Sequence, residues 1–260
     1  MHPPVNEPGR IGRLGISRHG KVVVLTLDHP PTRNAIDEQT FRLIGETLTG
    51  LQDDPEVGAL LLTAAGPHFS SGADIKEPLP IPADLAAQDL AVHPAALLYG
   101  FGRPTVAAIQ GCCVGGGLEL ALAADIRIAA DDAWFRFAEI TVGLPTGWGG
   151  GALLKAAVGR AYALDLLLTG RWVDAREAAA IGLVTRVCPS ADLGGNALEL
   201  AAELAVRSPD AVSAIKAAVR DDDFPVALRA EVQNFGTAAA SPEAARLIEA
   251  FLAGRAGGQR

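Results

Sequence analysis

Residues Gly111–Asp125, GCCVGGGLELALAAD, set one carboxylate, Glu119, in an otherwise small and apolar stretch, two residues after three consecutive glycines. The stretch follows Thr105–Ile109, an apolar run of strand length, and reads as a glycine loop entering a short helix over Gly117–Ala124. Neither Gly115–Gly117 nor the later Gly147–Gly151 matches the G-x-G-x-x-G or G-x-x-x-x-G-K-[ST] spacing that cradles phosphates. What glycines do at a helix start is let bare backbone N–H groups approach a ligand where the helix dipole favours negative charge. The turn Ser70–Ile75 (SSGADI), also small and also following a strand-like run, offers a second donor from the Ala73 N–H. Two convergent donors are what an enolate or tetrahedral oxyanion needs. Glu119 then lies in the first helical turn behind one donor, either as a carboxylate held by the helix start or as a catalytic group in the same pocket. Its neighbours Leu118, Leu120 and Leu122 make a solvent-facing position less natural.

A second carboxylate, Glu139, stands between apolar residues in FRFAEITV (Phe135–Val142), where a strand should end. It is either solvated or ion-paired, or half of an acid/base pair with Glu119; spacing alone does not show that the two meet. Asp74 and Lys76 fit a bond across their own loop as well as a ligand contact, and Arg33 and Asn34 fit a pinned turn as well as a phosphate site. Cys112 and Cys113 read as small packing residues, and with Cys188 they make neither a disulfide framework nor paired CxxC units, which implies a reducing compartment. The five histidines are scattered and no H-E-x-x-H occurs, so no metal site is expected.

Around these motifs, Ile11–Ser17 and Val22–Leu27 read as strands about the His19-Gly20 turn. Asp37 caps a helix with Phe41, Ile44, Leu48 and Leu51 on one face, ended by Asp53-Asp54-Pro55. Val57–Thr63, Ile126–Ala130 and Trp134–Phe137 complete the strand candidates. Strand, glycine turn and helix recur irregularly, suggesting stacked units through about residue 200. Residues 201–260 change to Ala-rich helical segments punctuated by Pro209, Pro225 and Pro242. A net charge of -8 without a basic run argues against nucleic-acid binding. Neither a secretory signal nor an apolar run near the roughly 20 residues of a membrane span is present, so a cytoplasmic enzyme or binding protein is expected.

HFSSGADIKE (His68–Glu77) followed by AAIQGCCVGGGLELALAADIRIA (Ala107–Ala129) resembles the enoyl-CoA hydratase/isomerase family, the crotonase superfamily. The likeness extends through DHPPTRNAID (Asp28–Asp37), FRFAEITVGLPTGWGG (Phe135–Gly150), LTGRWVDAREAAAIGLVTRV (Leu168–Val187) and SPDAVSAIK (Ser208–Lys216). It implies an α/β fold, a crotonase-like spiral of ββα units over residues 1–200 with a C-terminal helical oligomerisation region over 201–260, packed as a homotrimer or homohexamer. It implies an acyl-CoA thioester as ligand, with no cofactor beyond the coenzyme A carried by the substrate. By the same resemblance the Ala73 and Gly116 N–H groups form the oxyanion hole. It likewise implies that Glu119 and Glu139 are the catalytic pair that adds water across a 2-trans-enoyl thioester. Arg33, Ala35, Asp74, Ile75 and Lys76 line the coenzyme A path, with Arg255 near a phosphate. Ala138 in place of a frequent proline, Phe137 at an often polar position, Pro145 one position early, the proline-rich Pro78–Pro82 and Trp148 where a small residue is common all depart from the family pattern. Trp148 in particular bears on the acyl pocket. Isomerisation or decarboxylation of an acyl-CoA, and non-catalytic acyl-CoA binding, are the competing functions.

Overall fold

The computed structural model describes residues 9–76, 92–220 and 223–257. The chain opens with β1 (Gly9–Ile11), β2 (Leu14–His19) and β3 (Val22–Leu27), then α1 (Glu38–Gln52) and β4 (Ala59–Ala64). After α2 (Pro94–Tyr99) come β5 (Thr105–Ile109), β6 (Cys112–Val114), α3 (Gly116–Leu122), β7 (Ile126–Ala130) and β8 (Trp134–Arg136). Next are α4 (Gly150–Thr169), β9 (Val173–Asp174), α5 (Ala175–Ile181) and β10 (Arg186–Cys188). Four helices follow: α6 (Leu193–Ala205), α7 (Pro209–Val219), α8 (Phe224–Ala239) and α9 (Pro242–Gly257).

Seven strands form one sheet in the order β1-β2-β3-β4-β5-β7-β10, antiparallel from β1 to β3 and parallel from there on. A smaller sheet holds β6, β8 and β9. Strands buried on both faces read as near-continuous apolar runs, which is why VVVLTL and ALLLTA lack polar alternation. Successive side chains still point to opposite faces. Val23, Leu25, Leu60, Leu62, Ala107 and Ile109 enter the main core with α1 and α3. Val22, Val24, Leu61, Val106 and Ala108 meet Leu193, Ala197, Leu200 and Ala201 of α6. The boundary expected near residue 200 thus falls inside a helix whose buried side lies on the sheet.

α4 was not among the helices expected from the sequence. It begins on glycines and is broken at Gly159 (φ 77, ψ 163), so it is two helical pieces joined across a kink. β6 and β9, also unexpected, are only three and two residues long, too short for a strand period to register. α1 matches its expected cap: Asp37 accepts the Thr40 N–H at 2.7 Å, and its Oδ2 also pairs with Arg13 Nε at 2.9 Å.

Asp37→Ala is expected to lower the unfolding free energy by about 1–2 kcal/mol, the usual worth of an N-cap. Asp37→Asn, which keeps a capping oxygen, should cost less; urea unfolding of both variants checks the order.

Candidate active site

All seven residues of α3 are buried, so the carboxylate of Glu119, only 2 % exposed, has no route to bulk water along its own helix. A buried carboxylate is tolerated when charge-assisted hydrogen bonds replace its hydration. Glu119 Oε1 accepts three backbone N–H groups, from Gly147 at 3.2 Å, Trp148 at 2.7 Å and Gly150 at 2.9 Å. These belong to the turn that opens α4, whose first N–H groups have no partner inside that helix. A helix start does hold Glu119, but it is that of α4 and not of its own helix.

Glu139 heads a 3-10 turn, Glu139–Val142, just beyond β8. It comes against the same glycine run: a Cβ on Gly115 would stand 2.9 Å from Glu139 Oε1, and Gly115 also holds φ 51, ψ -128, a conformation that L side chains rarely adopt. Glu139 Oε2 is buried and has no hydrogen-bond partner among the described residues. Burial pushes the Glu139 carboxyl up to about 7. Burial, then the charges of Glu139 and Glu231, raise Glu119 well above the usual carboxylate range. The structure therefore brings the two sequence-predicted glutamates into one low-dielectric site, where the charge of Glu139 disfavours ionisation of Glu119. The N–H donors on Glu119 favour charge there but are outweighed by burial and the neighbouring carboxylates, while backbone donors of Ala138 and Glu139 and the charge of Arg136 partly offset burial at Glu139.

Two loops meet beside this pair. Ser70 and Cys113 form a parallel bridge, as do Ile36 and Ala73, so segments 70–74, 34–36 and 112–114 run side by side. The Ile36 N–H donates to Gly72 O at 2.9 Å and the Asp74 N–H to Ile36 O at 2.9 Å. These two bonds lie on one side of the segment, and the Ala73 N–H takes part in neither. A Cβ on Gly72 would lie 3.5 Å from the Gly116 nitrogen, so the Ala73 and Gly116 segments are neighbours. Neither N–H is engaged by another described residue.

The other sequence-predicted residues sit along this edge. Arg33 (φ 55) accepts the Ser71 N–H on its carbonyl at 2.8 Å. Asn34 is buried and pins the turn through Ala65 O, His68 O and the His29 N–H, the structural one of its two sequence readings. Ala35 is buried, and its carbonyl accepts Arg13 Nη1 at 3.2 Å. Asp74 Oδ2 pairs with the same Nη1 at 3.0 Å, so its carboxylate is engaged within the fold; Ile75 is half-buried and Lys76 exposed. Cys113 is fully buried and Cys112 half-buried on β6. Pro78–Pro82 and the Arg255 side chain lie outside the described residues.

Trp148 fills the space over the glycine loop. A Cβ on Gly116 would meet its six-membered ring at 2.7–3.0 Å. Phe41 lies against the indole (centroids 4.9 Å) and His93 meets Phe41 edge-on (5.1 Å). His93 is buried, accepts the Ala95 N–H, and is pushed down to about 4 by burial, which keeps it neutral. Phe41 read as part of the α1 core face and His93 as a scattered histidine; neither carried a local signal of the site. Glu231 of α8 was missed as well: it accepts from Thr146 Oγ1 at 2.8 Å, the Ala152 N–H at 2.9 Å and the Gly151 N–H at 3.3 Å.

The assembled parts are those of an acyl-transferring or enolate-forming site: a buried carboxylate pair, two free backbone donors and an aromatic wall. Residues 17–255 match the family model described as Enoyl-CoA hydratase/isomerase, and the chain belongs to that family. It is 37% identical over 248 residues to a probable enoyl-CoA hydratase of Mycobacterium tuberculosis, covering 93% of this chain and 95% of the relative. It is 35% identical over 248 residues to the 2,3-dehydroadipyl-CoA hydratase of Escherichia coli K12, covering 93% and 96%. The crystal structure of an enoyl-CoA hydratase/isomerase from Pseudoalteromonas atlantica matches with a TM-score of 0.86 at 30% identity, covering 94% of this chain and 98% of that one. The fold is thus the crotonase fold, with its C-terminal helices.

A Glu139 carboxyl held near 7 keeps a proton in the folded state that the unfolded chain, with its ordinary value of 4.5, gives up. Between those values the folded state binds more protons, so this group's contribution to stability falls as pH rises from about 4.5 to 7. Glu139→Gln removes that loss: it should unfold at a higher temperature than the parent at pH 8, by on the order of 1–3 kcal/mol of stability, with the gap closing near pH 4.

Proposed function

We propose that the protein adds water across the 2,3 double bond of a 2-trans-enoyl-CoA thioester. The observation that carries this reading is the meeting of Glu119 and Glu139 at the Gly115–Gly117 loop, next to the unengaged N–H groups of Ala73 and Gly116. In this reading the thioester carbonyl oxygen accepts both N–H groups, which take up charge as the enolate develops. Glu119, oriented by the three N–H donors of the α4 turn, which oppose the rise in its pKa, accepts a proton from the water whose oxygen bonds to C3. Glu139, protonated near neutral pH, gives its proton to C2. The product is a 3-hydroxyacyl-CoA, and the proton taken by Glu119 passes back to Glu139 before the next turnover.

Arg33, Ala35, Asp74, Ile75 and Lys76 line the coenzyme A side, Asp74 acting through its pair with Arg13. Coenzyme A enters only as part of the substrate, and no other cofactor is proposed. Exposed Trp134, Trp172 and Leu168 support assembly of several copies of the 26.8 kDa chain; a trimer or hexamer is what the family resemblance implies, and a cytoplasmic place is kept as the sequence expectation. Trp148 supports a second reading, isomerisation or decarboxylation of an acyl-CoA: an indole on Gly116 narrows the room for an acyl group and water together. Non-catalytic acyl-CoA binding is less well supported, because simple binding has no use for a carboxylate pair at the oxyanion donors.

Loss of the conjugated-thioester absorbance of crotonyl-CoA and longer enoyl-CoAs tests the reading. Turnover is expected, with Glu119→Gln and Glu139→Gln each lowering kcat by about 10²–10⁴-fold while thioester binding persists. No turnover across a chain-length series would overturn it, and conversion of 3-enoyl or malonyl-type thioesters instead would favour the second reading.

A further inference from the structure

α4 begins without a cap of its own. Gly149 stands at its N-cap with no side-chain hydrogen bond, and its first turn holds no acidic residue. Two carboxylates from elsewhere in the chain divide its opening donors. Glu119, from α3, takes the N–H groups of Gly147, Trp148 and Gly150. Glu231, from α8, takes those of Gly151 and Ala152 together with the hydroxyl of Thr146. The backbone that aims three donors at Glu119 is therefore bonded on both of its flanks to Glu231, through Thr146 before it and Gly151-Ala152 after it.

We propose that Glu231 is a positioning residue: through the turn Thr146–Ala152 it fixes the N–H groups that hold the Glu119 carboxyl in its orientation. The proposal rests on the hydratase reading of Glu119, and it ties the C-terminal helical region to the chemistry. α8 is able to act this way because Phe224, Leu228 and Val232, on the same helix, are buried in the main core, which fixes the backbone that carries Glu231. Releasing Glu231 leaves Thr146 Oγ1 and two backbone N–H groups unmatched in a partly buried turn, and such groups re-form bonds by moving. The groups they would move are the donors of Glu119. Glu231 touches neither the glycine loop nor the Ala73 segment in any of its hydrogen bonds, so it acts through the turn. Its charge also reaches the pair: it raises both Glu119 and Glu139, against the opposing effects of the backbone donors on Glu119 and of Arg136 on Glu139.

The test compares Glu231→Ala and Glu231→Gln with Glu119→Gln. It measures kcat and KM on the best enoyl-CoA, and carboxyl titration by ¹³C NMR of glutamate-labelled protein. Glu231→Ala is expected to lower kcat by about 10–100-fold with KM changed less than about threefold, the signature of lost transition-state alignment. Glu231→Gln, which keeps an acceptor oxygen, should fall between the alanine variant and the parent in kcat, while the Glu119 and Glu139 titrations move to lower pH because a neighbouring negative charge is gone. Where the alanine variant does not fold, the glutamine variant decides alone. Parent-like kcat and unmoved titrations in the glutamine variant, with only the melting temperature lowered, would overturn the proposal and leave Glu231 as a fastening of α8. Full activity in Glu119→Gln would instead overturn the hydratase reading; the titration needs no turnover and still reports the Glu231 contact.

Discussion

Three backbone N–H groups converging on one oxygen of Glu119 are the interaction on which the rest of the site depends. Burial on an entirely buried helix pushes this carboxylate toward its neutral form, and the three donors oppose that push. The opening turn of α4 supplies what water would have supplied, and it does so without a side chain, through unpaired N–H groups and the positive end of the helix dipole. The glycine loop before α3 meets the same need from the other side. At Gly115 a side chain would collide with Glu139, and at Gly116 with Trp148, so the bare backbone lets a carboxylate and an indole close over the N–H-bearing strand end.

The second glutamate is held by different means. Glu139 heads a short 3-10 turn; Val142 at its end and Leu144 beyond it pack with Ala244 of α9 and, around them, Phe235, Ile248 and Phe251. α8 thus stands behind the turn that holds Glu119, and α9 together with Phe235 of α8 stands behind the turn that carries Glu139. Burial leaves Glu139 with an unpartnered oxygen and an elevated pKa, a local cost to stability that suits the proton-donor role proposed for it.

Much of this was legible in the chain. Apolar runs located β3, β4, β5 and β7 to within a residue or two, and Asp37 with the helical spacing of Phe41, Ile44, Leu48 and Leu51 defined α1. Those signals are local. α4 escaped because apolar residues stand all around it, Tyr162, Leu164 and Leu168 being exposed, and glycines stand both at its start and within it, so neither amphipathic period nor cap marks it. Spacing could raise Glu119 and Glu139 as candidates but not bring them together; the family resemblance implied the meeting, and the bridges Ile36–Ala73 and Ser70–Cys113 align the strand ends around it. The partners of Glu119 lie one turn ahead of an unread helix, and Glu231 lies on an Ala-rich helix with nothing local to distinguish it from a solvated surface charge. Distances along the chain hide such contacts; only the packing of α3, α4 and α8 reveals them.

A crystal structure with an unreactive enoyl- or acyl-CoA thioester bound tests the central claim most directly. The account predicts the thioester oxygen within about 3.1 Å of both the Ala73 and Gly116 nitrogens, with Glu119 facing C3, Glu139 facing C2, and the three N–H bonds to Glu119 intact. A thioester seated away from those donors, or a Glu119 carboxylate released from the α4 turn in the complex, would contradict it.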